Sequence, residues 1–348
     1  MVSLDFSHCK ELVLDNAVTL LTTDSPSGFT GAVVDKADKL ASDLGYHTRR
    51  TNKGGLVVDV PGRSHEKKVC LAAHIDTLGL MTRAITSDGQ LLITPIGGPI
   101  LPTLDGEYCK IYTRSGEIYT GTILSLSPAA HVFDDAKSRP RDEAGMAVRI
   151  DETVTSAEEV RALGMEVGDY VCFDPKTVVT ESGFLKSRFI DDKGSSACLL
   201  ALLQLMKNAD VLPEYDAEFV FTVYEEVGHG GATLSGDVAE LLIVDMGCVG
   251  ADLTCTERQV SICPKDSAGP YDYEMTSRLI SLAKQHGIDY AVDVYPHYSS
   301  DASVAWKAGL DVRAALIGPG VHASHGMERT HADGLLHTVR LASLYLGV

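Results

Sequence analysis

Five stretches of the sequence carry residues able to hold a metal or move a proton. The apolar run VCLAA leads into His74, with Asp76 two residues on. FVFTVY leads into the adjacent pair Glu225-Glu226, and LLIV into Asp245. RAALI is followed by GPGVHASH, which contains His322 and His325. Asp191-Asp192 stands just before an apolar stretch of helical spacing that starts at Gly194. Short apolar runs of this kind read as buried strands. Ligands of open α/β sheets bind outside the carboxyl ends of the strands, so these residues are expected to meet at one sheet edge. Two imidazoles with several carboxylates and no thiolate form a ligand set for Zn²⁺, Co²⁺ or Mn²⁺, not for copper or an iron–sulfur cluster. Two such ions about 3.5–4 Å apart clamp the attacking and leaving oxygens of a hydrolysis. That arrangement needs a bridging carboxylate, a terminal imidazole and acid on each side, and a free Glu as general base. Glu225-Glu226 points the same way, because a buried carboxylate pair is costly without a cation.

The elements that must position these residues follow from periodicity. An N-terminal helix is followed by a second over Phe29–Leu44 and strands over Gly55–Val60 and Val69–Ala73. From about Leu78 to Phe184 the texture changes to short alternating segments punctuated by Gly and Pro, with one short helix around Ser156–Leu163. After Arg188 the spacing predicts helices over Gly194–Asn208, Glu274–His286, Asp301–Ala308 and Thr330–Leu346. Strands are predicted over Ala217–Tyr224, Leu241–Val244 and Arg313–Ile317. The expected fold is α/β, a mostly parallel sheet flanked by helices. Residues 1–77 and 186–348 would form one catalytic domain, split by a β-rich insertion over residues 78–185.

Composition removes several function classes. The 348 residues carry a formal charge of −18, which repels nucleic-acid phosphates and anionic membrane surfaces. No run approaches the roughly 20 apolar residues of a membrane span, and the N-terminus has no secretory pattern. The eight cysteines are scattered without a CxxC pair, as expected for buried thiols of a cytoplasmic protein.

In order along the chain, AAHIDTLGLM, SRFIDDKGSSACLL, VFTVYEEVGHGGA, LLIVDMG and ASHGMERTH resemble the M42 family of dinuclear metallo-aminopeptidases, of glutamyl aminopeptidase and TET peptidase type. The resemblance covers nearly the whole chain. It implies a zinc-peptidase-like fold, peptide substrates and two divalent metal ions per subunit (zinc or cobalt, with manganese an alternative). It also implies homo-oligomers, dimers or dodecamers, with the insertion as dimerisation domain. Carried over, His74, Asp191, Glu226, Asp245 and His325 would be metal ligands, with Asp191 bridging. Glu225 would be the general base, and Asp76 would orient His74 through its other ring nitrogen.

The chain departs from the family at the last ligand. Relatives carry a Tyr-x-His-Ser-Pro-x-Glu pattern where this chain has GVHASHGMERTH. His325 is preferred over His322 by its spacing from the closing helix and by Glu328, which looks like a helix start. Asp301, in SSDAS, resembles a segment near the family's active site and is a candidate substrate contact.

Blander readings stand beside these. His74 alone could be a core histidine, Glu225-Glu226 a solvated strand exit and Asp245 a turn cap. Asp192 is expected to hydrogen-bond locally, and His229 and His131 to be loop residues. Lys193 and Arg188 are expected to tune the bridging Asp or pair behind it. The competing functions are an N-acyl-amino-acid deacylase or carboxypeptidase with the same ligands, a non-catalytic scaffold, and a metal-free glycosidase using paired carboxylates.

Overall fold

The computed structural model describes residues 4–348, and the chain divides into two units. Residues up to Asp24, Thr30–Asp76 and Lys176–Val348 make one, and Ser25–Phe29 with Thr77–Pro175 make the other.

The larger unit is built on a thirteen-stranded sheet. At its centre Tyr215–Thr222, Ser64–His74, Glu240–Val244 and Arg313–His322 run parallel to one another in that order. Around them the pairing is largely antiparallel. His47–Arg50 pairs with Leu56–Val60, which pairs with Tyr215–Thr222. Val260–Asp266 runs against Arg313–His322, as do Glu328–His331, Phe184–Ser187 and Val178–Val179 in turn. The sheet is therefore mixed, which corrects the expectation of a mostly parallel one. Short turns join His47–Arg50 to Leu56–Val60, Val178–Val179 to Phe184–Ser187, and Arg313–His322 to Glu328–His331. Connections this short permit only antiparallel pairing, whereas parallel neighbours need a long crossover.

The central strands are buried on both faces, which is why they read as unbroken apolar runs. From Val69 to His74 every residue is buried. On one face Cys70, Ala72, Val220, Leu241, Ile243, Ala314 and Leu316 alternate along their strands and pack with Ala302 and Ala305 of the short helix Asp301–Lys307. The helices Cys9–Leu21, Ile190–Ala209 and Ala332–Leu346 pack against one another.

Three boundaries differ from expectation. The helix Ile190–Ala209 begins earlier, but Asp191 (ψ 101°) and Asp192 lie off helical geometry, behind Phe189 at φ 69°. The last parallel strand runs on through Gly318-Pro319-Gly320 to His322. A Cβ on Gly318 would stand 1.2 Å from the Asp245 carbonyl oxygen, so this glycine serves a close backbone approach and not a turn. Glu328–His331 is a strand, not the start of a helix; the helix begins at Ala332, where the His331 side chain accepts from Asp333 N–H.

The smaller unit is a closed antiparallel barrel in the order Gly79–Ile85, Leu91–Ile96, Met146–Ile150, Ile118–Ser125, Glu107–Tyr112 and Tyr170–Phe173. Closure removes the exposed edges that alternating strands would otherwise leave. Phe29 packs its ring 4.8 Å from Tyr112 and 5.1 Å from Tyr170, which is how the Ser25–Phe29 segment joins this unit. The helix Ala157–Ala162 is capped by Ser156, which accepts from Glu159 N–H, while the Glu159 carboxylate accepts from the N–H of Thr155, one residue before the cap. Residues 176–185, expected in the insertion, form the end of the large sheet. Among the described residues no helix is long and apolar enough to cross a membrane. All eight cysteines are free and all but Cys248 are buried.

Candidate metal centre

Each strand end delivers its residue to one cluster in the larger unit. His74 closes its strand, Glu225 and Glu226 follow Thr222, and Asp245 follows Val244. Asp191 stands in the non-helical turn before the long helix. His74, Asp191 and Asp245 each offer a ligand atom, and these atoms lie within 4.8 Å of one another. Asp191 has two faces. Its Oδ1 is 3.1 Å from His74 Nε2, and its Oδ2 is 3.5 Å from His325 Nε2. His325 Nε2 is also 3.6 Å from Glu226 Oε2.

His325 is the histidine that enters the cluster, from a backbone at φ 63°. His322 is an exposed residue at the strand end, paired with Arg329. Consecutive Glu225 and Glu226 both face the cluster, since Tyr224 at φ 70° bends the chain out of the strand. Glu225 Oε2 lies 3.9 Å from His74 Nε2, on the opposite imidazole from Glu226. The support expected from Asp76 at the other ring nitrogen of His74 is made by the Asp76 backbone. His74 Nδ1 donates to its carbonyl at 3.0 Å, with carboxylate Oδ1 at 3.7 Å. That Oδ1 instead accepts from Glu225 N–H at 3.1 Å. Asp192, expected to hydrogen-bond locally, instead accepts from His74 N–H at 3.2 Å, 118 positions away.

The charges do not balance within the protein. Burial opposes charge on His74, but Asp191 and then the Glu225 and Asp245 carboxylates outweigh it and raise the imidazole well above its ordinary range. Burial would also raise Asp191, but the His325 and His74 imidazoles hold its carboxyl below the usual carboxylate range. Burial lifts Glu225 and Glu226 well above theirs, with neighbouring carboxylates adding to it. Burial, then Asp191, pushes Asp245 up to about 7.

Divalent cations fit this set. With metal–ligand bonds of about 2.0–2.1 Å, ligand atoms around one tetrahedral ion stand roughly 3.3 Å apart. The three imidazole–carboxylate separations among the candidate ligands, 3.1, 3.5 and 3.6 Å, bracket that value. Both ring nitrogens of His74 face acceptors, so only a second ring proton or a cation satisfies the pair at Nε2. Glu226 Oε1 is buried with no hydrogen-bond partner, an acceptor suited to a cation.

Other residues hold this arrangement, and sequence reasoning gave two of them no such role. Glu328 is buried, and its Oε2 accepts from Asp191 N–H while its Oε1 accepts from His325 N–H, both at 3.0 Å. One carboxylate thus sets the backbones of two cluster residues 134 positions apart in number, and burial, then Asp191, lifts it to about 8. In the sequence Glu328 reads only as a helix start, and nothing local marks its two partners. Ser196 Oγ donates to the His74 carbonyl at 2.9 Å. Asp301 accepts from Thr222 Oγ1 and Gly231 N–H. Lys193 is buried and donates to the Thr23 carbonyl at 2.7 Å. His229 is exposed and stacks on Tyr224 at 4.7 Å, and His131 is exposed in the barrel unit.

Comparison with known proteins gives concordant findings. The model of the family described as M42 glutamyl aminopeptidase matches residues 54–341. A Bacillus subtilis (strain 168) protein named "Putative aminopeptidase YhfE" is 43% identical over 328 residues, covering 94% of this chain and 95% of that one. Two solved structures share the fold. The aminopeptidase APDkam598 of the archaeon Desulfurococcus kamchatkensis has a TM-score of 0.87 at 24% identity, covering 97% of this chain and 95% of that one. The Pyrococcus horikoshii TET1 peptidase, described as assembling into a tetrahedron or a large octahedral shell, has a TM-score of 0.82 at 22% identity, covering 96% and 99%.

Proposed function

The chain belongs to the M42 glutamyl aminopeptidase family, and from that premise we propose that it removes N-terminal residues from peptides at a two-cation site with Glu225 as general base. The observation that carries this reading is the Asp191 carboxylate, which turns one oxygen to His74 and the other to His325. His74 and Asp245 would hold one cation, His325 and Glu226 the other, with Asp191 shared. Bound divalent cations would supply Lewis-acid activation of water and of the scissile carbonyl. The residues of the chain do the rest. Asp76, through its carbonyl, keeps the His74 Nε2 lone pair turned to the site. Glu225, held at its N–H by Asp76, takes the proton of the attacking water and hands it to the leaving amine. Burial first raises its affinity for protons above the ordinary carboxylate range, the direction that suits a base which must also hand its proton on.

The test is Glu225→Gln, which keeps shape and removes the base. Folding and metal content should persist while hydrolysis of amino-acid p-nitroanilides falls by about 10²–10⁴-fold. Near-wild-type turnover would falsify the assignment. Running N-acetylated amino acids beside the anilides separates an aminopeptidase from a deacylase of the same clan.

We propose a homo-oligomer for this chain, dimeric through the barrel unit and with a larger shell as the further possibility for light scattering to measure. Exposed apolar side chains on that unit support it, among them Val132 (74%), Tyr108 (68%) and Val167 (57%). A cytoplasmic setting is proposed from the eight free thiols. Zinc or cobalt, then manganese, are the proposed ions.

A further inference from the structure

We infer that Asp301 is a positioning residue, whose carboxylate staples together the two ends of the loop that carries Glu225 and Glu226. This rests on the reading of those two glutamates given above. The loop leaves the sheet at Thr222, the last residue of its strand, and regains regular structure at Gly231, the first residue of the 3₁₀ turn Gly231–Thr233. Thr222 Oγ1 donates to Asp301 Oδ2, and Gly231 N–H donates to Asp301 Oδ1, each at 2.5 Å. One side chain thus binds both ends of the eight-residue excursion 223–230.

The staple is anchored from behind. Asp301 begins the helix Asp301–Lys307, whose Ala302 and Ala305 are fixed in the core against one face of the central strands. The two glycines of HGGA are the counterpart of this approach. A Cβ on Gly230 would stand 2.6 Å from Asp301 Oδ1, and one on Gly231 2.0 Å from the Asp301 carbonyl oxygen. Only residues without a Cβ let the loop close onto the carboxylate. Charge-assisted hydrogen bonds away from water are strong, and Thr222, Gly231 and Asp301 are all buried. A substrate-contact role is disfavoured by the same geometry, since each carboxylate oxygen is already held by a buried donor of the protein.

What the staple achieves is register. Glu225 and Glu226 are consecutive, yet each must meet a different imidazole. Asp76 holds Glu225 at its N–H, and Asp301 sets where the chain starts and ends. Misplacement of a catalytic group by about 1 Å costs about 10²-fold in rate.

The experiment compares Asp301→Ala, Asp301→Asn and Thr222→Val in the full-length, metal-loaded enzyme on an amino-acid p-nitroanilide that the wild type cleaves. Asp301→Ala should lower kcat about 10²-fold with KM nearly unchanged. Asp301→Asn should restore most of kcat, because its Oδ1 still accepts from Gly231 and its amide donates to Thr222 Oγ1. Thr222→Val, which removes one tether at constant volume, should give a smaller loss in kcat alone, and it carries the test if Asp301→Ala does not fold. The inference is overturned if Asn is as damaging as Ala, or if the loss appears in KM, since the charge would then be meeting substrate. It is overturned equally if folded Thr222→Val keeps full kcat. Glu225→Gln, run alongside, tells the two ideas apart. Activity in that variant removes the reading of the loop, whereas inactivity there with harmless Asp301 variants removes only the staple.

Discussion

Removing the cations should make the protein sensitive to pH, and in a stated direction. In the metal-free fold Asp245 titrates at about 7 instead of 3.8, from burial and then Asp191, and Glu328 at about 8 instead of 4.5. A group whose folded pKa is raised binds more protons in the folded chain than in the unfolded one. Its contribution is intact below the unfolded pKa and is lost as pH rises through the folded pKa. For Asp245 that window runs from pH 4 to 7. Three units at about 1.4 kcal/mol each set a scale of about 4 kcal/mol. Asp191 has the opposite sign, but its folded and unfolded values both lie near or below 4, so it is silent in this window. For a chain of 348 residues, an unfolding entropy of about 0.7 kcal/mol/K converts 4 kcal/mol into a fall of about 6 °C in Tm. Cations reverse the trend, because ligands must lose protons to bind them. Each cation held at about 100 times its Kd adds about 2.7 kcal/mol, or about 4 °C. Calorimetry of chelator-stripped and metal-reconstituted protein between pH 4.5 and 8 reads this directly. The gap in Tm should be small at pH 4.5 and widen to about 8 °C at pH 8, about 4 °C for each of the two cations. A gap that is absent, or that narrows as pH rises, would refute the claim that these carboxylates are kept for cations.

Three further outcomes are expected. His325→Ala should lose one of two metal equivalents by elemental analysis while His322→Ala keeps both; dinuclear binding retained in His325→Ala reverses the assignment. Gly231→Ala should cost about 1–3 kcal/mol by overpacking, since its Cβ would stand 2.0 Å from the Asp301 carbonyl oxygen, and an unchanged melting curve would show that the loop has room. The −18 charge should steer cationic peptide N-termini, so kcat/KM for a dipeptide amide should fall with ionic strength, and a flat profile leaves the charge a matter of solubility.

The site was legible in the sequence to the extent that it hangs on strand ends. A parallel strand buried on both faces announces itself as an apolar run, and the polar residue that stops the run lies at the sheet edge where ligands bind. His74, Glu225-Glu226 and Asp245 were found this way, and Asp191 from its place before a helix. Their identities and local spacing are properties of the chain itself. What the tertiary structure decided is which groups meet and through which atoms. His74 and Asp191 are 117 residues apart, and Asp191 and Glu328 137. The role of Glu328, the use of the Asp76 carbonyl in place of its carboxylate, and the occupation of both Asp301 oxygens have no local pattern to betray them. The same holds for the mixed sheet, since apolar periodicity reports that a strand is buried and not which way its neighbour runs. Residue type and period are set by bonds along the chain. Pairing direction and hydrogen-bond partners are set by the packing of segments far apart in it, and only the folded molecule carries that.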